Sequence, residues 1–212
     1  MNRINLDAAA LEPKTGYTSK GDQPKWQVRG NWYKADHMGY EALVEVLISG
    51  LLRKSNVSDF VDYQLVQIHD HGKERIGCAS KNFRGKDEML IPFQRLHRAY
   101  QGGRGLSEAI AAMPDAAARI RYTVDFIEQT TGLTGVGPYL TTLLEIDAFF
   151  LNEDRHTNNL AVIRDERSGK FRLCPIFDNG LALLSDLNDY PLDADIYSCI
   201  DRVRAKPFSL DF

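Results

Sequence analysis

The stretch between residues 139 and 180 constrains the fold more than any other part of this 212-residue chain. Residues 139–150 carry Leu140, Leu143, Leu144, Ile146, Phe149 and Phe150 at helical spacing, which predicts a buried helix. The apolar run stops at a polar loop, Asn152-Glu153-Asp154-Arg155-His156-Thr157-Asn158-Asn159. Two short strands are expected next, over 159–163 and 171–175, joined by a turn at 165–170 that contains Gly169. The second strand runs into Ile176-Phe177-Asp178-Asn179-Gly180. A hairpin between a polar loop and an acidic turn brings the turn back beside the loop.

Taken one at a time, these residues have ordinary structural readings. Asp, Asn and Gly all favour turns, and an Asp just past a helix is often a surface residue. Together they form the set that phosphoryl transfer from Mg²⁺-ATP requires. One carboxylate, Asp154, accepts the proton of an attacking hydroxyl. An amide oxygen from Asn159 and a second carboxylate from Asp178 hold metal that bridges the phosphates. The Asp-x-x-x-x-Asn spacing lets one loop carry both the base and a ligand.

The same chemistry needs an upstream lysine on a strand, held by a helix carboxylate. Residues 26–35 read as two short strands about a Gly30-Asn31 turn, with Lys34 near the end of the second. A helix is expected over 40–52, its apolar stripe formed by Leu43, Val46, Leu47, Gly50 and Leu51. Glu41 and Glu45 lie one turn apart on it. Glu41 is the preferred partner for Lys34, with Glu45 the alternative. A glycine-containing segment precedes the lysine, with Ser19, Gly21 and Gln23 as candidate phosphate contacts; alone it matches neither G-x-G-x-x-G nor a Walker A loop. Strands over 61–68 and 75–80 complete an N-terminal sheet. The second of these ends at Ser80, Asn82 and Phe83, where main-chain groups would meet an adenine. Beyond residue 84 the pattern is expected to be helical, with candidates at 94–100, 106–113 and 116–130. The first 15 or so residues are expected to be weakly ordered, and the tail from Tyr190 to be polar with scattered helical signal. The expected fold class is α+β: a two-lobed arrangement with a small sheet lobe over 1–83, bearing one helix, and a compact, mainly helical lobe over 84–212.

Composition narrows the function. The formal net charge is −3, and the local basic groups at 81–86 and 202–206 are diluted by acids, so direct nucleic-acid binding is not expected. No apolar run approaches the length of a membrane span, and the N-terminus lacks a signal-peptide pattern. Cys78, Cys174 and Cys199 are odd in number and lack metal-site spacing, which fits a reducing cytoplasm. A metal-dependent hydrolase using Asp154, His156 and Asp178 lacks a second histidine cluster to support it, since His69 and His71 fall in a distant turn.

The order Ser19-Lys20-Gly21-Asp22-Gln23-Pro24-Lys25, the strand lysine Lys34, Tyr40-Glu41 on a helix, Asp154-Arg155-His156-Thr157-Asn158-Asn159, then Phe177-Asp178-Asn179-Gly180 resembles the HipA-like serine/threonine kinases, particularly their compact CtkA-like branch. The Asp154 to Asn159 element also looks like the catalytic loop of phosphatidylinositol kinases, which share the wider protein-kinase-like fold. The resemblance implies an ATP- and Mg²⁺-dependent kinase with a protein substrate. It places the base at Asp154, the metal ligands at Asn159 and Asp178, and the ATP lysine at Lys34. It also implies autophosphorylation, with Ser19 or Thr18 as the modified residue. Two departures stand out. Asn179 replaces the aromatic of the usual Asp-Phe-Gly, and the helical lobe beyond the acidic turn looks curtailed. Two rival readings are a kinase fold that has become a binding module, of the toxin–antitoxin or nucleotide-sensor type, and a lipid or small-molecule kinase. No polybasic run supports the lipid reading.

Overall fold

The computed structural model describes residues 1–9 and 23–209. Five strands form the N-terminal sheet: β1 (Asn2–Asn5), β2 (Lys25–Val28), β3 (Asn31–Ala35), β4 (Gln64–Asp70) and β5 (Lys73–Lys81). Their order is β1-β4-β5-β3-β2. The β2–β3 hairpin turns at Arg29-Gly30 and the β4–β5 hairpin at His71-Gly72, all four residues having positive φ. That handedness matches the twist of the flanking strands, and glycine at the second position adopts it without strain. β1 pairs in parallel with β4, from Asn2 opposite Val66 to Asn5 opposite His69. The expectation of weak order across the whole N-terminus is therefore wrong for these residues. Their order comes from a pairing some sixty positions away, which local composition does not encode.

One face of the sheet buries Trp26, Ala35, Val66 and Ile68 with Leu6. The other face meets helix α1 (Glu41–Leu52) over Cys78, Val61, Tyr63 and Ala42. The helix is where expected but rotated. Ala42, Val44, Glu45, Ile48, Ser49 and Leu52 point inward, whereas Leu43, Leu47 and Leu51 are about half exposed. Both faces of this helix carry apolar residues, so periodicity could not choose between them. The choice falls to Glu45 and Ser49. Each meets a buried partner when this face points inward: Lys34 and the Asn179 main-chain N–H for Glu45, and the Tyr63 main-chain N–H for Ser49 Oγ.

The following part is mainly helical: α2 (Phe93–Tyr100), α3 (Leu106–Ala111), α4 (Ala116–Thr131) and α5 (Val136–Phe150). Asp115 caps α4 by accepting from Ala118 N at 2.7 Å, and Gly132 ends it in the left-handed conformation. α5 buries Leu140, Leu143, Ile146 and Phe150 in the main core, together with Phe93, Leu96, Leu106, Ile127 and Leu160. Three strands cross this region in the order β6-β8-β9, where β6 is Glu88–Pro92, β8 is Ala161–Asp165 and β9 is Phe171–Leu173. β8 and β9 are the expected hairpin, whereas β6 falls where the pattern just after residue 84 is expected to be helical. It is a five-residue edge strand ending in proline, too short for a clear alternation. β7 (Arg155–His156) pairs in parallel with β10 (Pro207–Ser209), so the tail beyond α6 (Ile196–Arg202) returns to the polar loop. Among the described residues no helix is long and apolar enough to cross a membrane. All three cysteines are buried free thiols, as small apolar residues would be.

Candidate active site

The site is assembled from three elements: β3, α1 and the segment between α5 and α6. Lys34 is 7% exposed, and its Nζ lies 2.7 Å from Glu45 Oε1 and 2.6 Å from Asp178 Oδ1. Its ammonium also sits 5.3 Å from the centre of the Tyr63 ring. Burial alone would favour the neutral amine, but Asp178 and Glu45 reverse that and raise its pKa well above normal. Lys34 is therefore a fixed, fully charged group.

The pairing corrects the preference for Glu41. Its carboxylate turns back instead to accept from the main-chain N–H groups of Met38 (2.7 Å), Gly39 (3.0 Å) and His37 (3.2 Å). These donors lie in the loop just before α1, within reach of an acid at the first helical position, so the Glu41 carboxylate turns towards them and away from Lys34 on β3. Glu45, within the helix, has no such local donors. Its second oxygen accepts from Asn179 N at 3.0 Å, so one carboxylate links Lys34 to the acidic turn.

That turn, Asp178-Asn179-Gly180, packs tightly on α1. A side chain at Gly180 would meet Glu41 Cβ at 3.1 Å. Asp178 has φ +61°, a left-handed conformation that Asp and Asn tolerate better than most residues. Burial would raise its pKa, but Lys25 and Lys34 outweigh burial and hold the carboxyl well below the usual range. Lys25 Nζ lies 3.9 Å from Asp178 Oδ2.

The polar loop is braced by Arg155, which is fully buried. Its guanidinium meets Asp147 of α5 through Nε (2.8 Å) and Nη2 (3.0 Å). Nη1 donates to Phe177 O at 2.7 Å, and Nη2 donates to Asn179 Oδ1 at 2.7 Å. A single side chain thus ties the helix, the loop and the acidic turn together. Asn152 completes the frame: its Nδ2 donates to Asp147 Oδ1 at 2.8 Å, and its Oδ1 accepts from Asp154 N at 3.0 Å. Asn159 Nδ2 donates to Asp154 O at 3.1 Å, which turns its amide oxygen away from that carbonyl. Glu153 accepts from Tyr190 Oη at 2.7 Å and pairs with Lys206 at 3.3 Å, anchoring the loop to the tail.

His156 lies 3.8 Å from Asp154 Oδ2, and burial pushes its pKa down to about 4. The unfolded chain therefore binds a proton between about pH 6.5 and 4 that the folded chain refuses. Stability from this group is complete above pH 6.5 and is lost as the pH falls towards 4. Asp36, raised by burial to about 6, works the other way: it favours the folded state as the pH falls below 6. His156→Gln should reduce the stability lost between pH 7 and pH 4.5, measured as the difference between two urea titrations. An unchanged difference would refute the assignment of a buried neutral imidazole.

The remaining candidates divide. Ser19, Gly21 and Thr18 lie outside the described residues, while Gln23 lies two residues before β2. Ser80 is buried near the end of β5. Asn82 accepts from Trp32 Nε1 at 3.3 Å through its side chain, and its N–H donates to Gly30 O at 2.8 Å. Phe83 packs on Phe177 with ring centres 5.9 Å apart, and its carbonyl accepts from Arg172 at 2.9 Å. Two main-chain groups expected to meet adenine thus already have protein partners. Sequence reasoning missed Lys25, Glu45 as the favoured partner, Tyr63, Asp147 and the bracing role of Arg155. An Asp on the apolar face of a buried helix was the available signal for Asp147, because such a charge needs a buried partner.

Among solved structures, the chain is similar to the crystal structure of a Helicobacter pylori proinflammatory kinase, CtkA, with a TM-score of 0.59 and 17% sequence identity. The fold is kinase-like. The likeness covers 88% of this chain and 63% of the CtkA chain, so this chain spans less than two thirds of that kinase's length. No family model matches the sequence, and no curated protein matches it.

Proposed function

We propose that the protein is a Mg²⁺-ATP-dependent serine/threonine protein kinase of the HipA/CtkA-like kind that phosphorylates itself, with its two lobes meeting near residue 84. The observation that carries this reading is the buried convergence of Lys34, Glu45 and Asp178 beside the loop bearing Asp154 and Asn159. Lys34 would hold phosphate oxygens, Glu45 would keep Lys34 extended, and Asp154 would accept the proton of the attacking hydroxyl.

The donor chemistry fits magnesium. Asp178 and Asn159 offer hard oxygen ligands, and Mg²⁺ in such sites takes one or two protein ligands together with phosphates. Bound there, the ion would supply charge neutralisation across the phosphates. What the chain's own residues do is orient. Arg155 and Asn152 set the loop, and the Glu45–Asn179 contact sets the acidic turn. These supports fix positions before the substrate arrives, which is the main source of catalysis where little covalent chemistry is required.

Incubation of the purified protein with Mg²⁺ and γ-labelled ATP, followed by mass spectrometry, tests the reading. Label on a serine or threonine of the protein, at Ser19 or Thr18 on this reading, or on an added protein substrate supports it. Nucleotide binding with no transfer to any acceptor would overturn it in favour of a binding module.

A further inference from the structure

The β6-β8-β9 sheet turns its two faces to different surroundings. Side chains alternate along each strand, so the register sorts them. Leu90 and Ile163 lie on the face that meets Phe83, Phe177 and Cys174. Arg172, opposite Ile163, is on that face too, and Glu88 takes up its guanidinium through two contacts of 2.8 Å. The other face carries a row of Met89, Arg164 and Phe171, directly across from one another on β6, β8 and β9. The neighbouring row, Ile91, Val162 and Leu173, belongs to the main core.

β6 runs into α2 without an intervening residue, Pro92 ending the strand and Phe93 starting the helix. Between this helix and the Met89 row is a cavity of about 360 Å³, lined by Met89, Ile91, Arg95, Leu96, Arg164 and Phe171. It has the room of about a dozen waters at about 30 Å³ each, and small-molecule sites begin at about 300 Å³. Arg164 stacks on Phe171, with 5.8 Å between its guanidinium carbon and the ring centre. A guanidinium stacked in this way keeps its N–H edge available to a ligand. Unlike Arg172, neither Arg95 nor Arg164 is paired with an acid among the described residues. Even Arg98 on the same helix reaches Glu108 at 3.9 Å.

An apolar wall beside two cations that lack an acid matches an anion with an apolar body. The wall disfavours a group of higher charge, which loses more hydration there, so a singly charged carboxylate fits better than a phosphate. We propose that the cavity binds a small monocarboxylate with an aliphatic or aromatic body. The body lies against Met89, Ile91, Leu96 and Phe171, and Arg95 and Arg164 hold the carboxylate. Arginine presents paired N–H donors in the geometry a carboxylate accepts. The site is on the sheet face opposite Phe83 and Phe177, and it does not rest on the kinase reading.

Octanoate, octanamide and acetate, titrated onto the full chain with methyl-labelled methionine and followed by NMR, test the proposal, the Met89 signal being identified from Met89→Leu. The Met89 methyl resonance should move saturably with octanoate. Octanamide, which keeps the body but not the charge, should bind about tenfold more weakly, the loss of a charge-assisted contact. Acetate, which lacks the body, should leave the resonance in place. Arg95→Met/Arg164→Met should bring octanoate down to the affinity of octanamide. Both arginines are exposed, so the urea midpoint of this variant should stay that of the wild type. Ala99→Trp, which fills the cavity from α2, should block octanoate. Equal affinities for octanoate and octanamide in the wild type, or a Met89 signal that ignores octanoate, overturn the proposal. So does octanoate binding that survives undiminished in either variant.

Discussion

Asp154→Ala should lower phosphoryl transfer by about 10²–10⁴-fold, the usual contribution of a positioned general base. ATP affinity should remain close to that of the wild type. The separation follows from where Asp154 sits. Its main chain is held independently of its carboxylate: its N–H donates to Asn152 Oδ1, and its carbonyl accepts from Asn159 Nδ2 and His156 N. Truncating the side chain leaves those bonds in place, and Lys34, the cation proposed to meet phosphate, is anchored elsewhere by Glu45. Single-turnover transfer rates and ATP binding, measured on the same preparation, check both halves. Near-normal turnover in Asp154→Ala would remove it from the role of base. A parallel loss of ATP affinity would show that the loop itself had collapsed.

Arg155→Met should destabilise the fold by about 3–5 kcal/mol, the typical cost of leaving a buried ion partner uncompensated. Arg155 is fully buried and Asp147 is 1% exposed, so water cannot replace the lost guanidinium. The carbonyl of Phe177 and the side-chain oxygen of Asn179 lose their donor as well. A drop in urea midpoint with an unchanged slope is the expected signature. The double variant Arg155→Met/Asp147→Leu should recover much of the stability, because the unpaired charge is gone. It should not recover activity, because the donors that hold Phe177 O and Asn179 Oδ1 in the acidic turn are still missing. Equal stability of Arg155→Met and the wild type would show that the guanidinium does not brace the loop.

Much of the site could be read along the chain because its parts are local in sequence. Asp154 and Asn159 belong to one loop, and Asp178 follows after a single hairpin. The apolar helix before the loop was equally plain, since α5 carries its buried residues at regular spacing. The pieces that were missed share a different property. β1 is ordered by β4, β6 by β8, and β10 by the polar loop itself. Each is a short strand whose own residues carry little preference, so its existence depends on a partner distant in sequence.

The choice between Glu41 and Glu45 shows the same limit at the level of one side chain. Both are glutamates one turn apart on α1, and spacing treats them alike. Space separates them: Glu41 finds the main-chain N–H groups of the loop before α1, and Glu45 finds Lys34 on β3. Lys25 is a comparable case. In the sequence it ends a glycine-containing segment, and only the β2–β3 register places it opposite Lys34 and beside Asp178. The linear sequence therefore determined which chemical groups the chain possesses and the order in which a loop, a hairpin and a turn present them, because those follow from neighbouring residues. Only the tertiary structure decided which acid holds which base. Ion pairing is settled by a few ångströms of separation and by the exclusion of water, and both arise when distant segments pack.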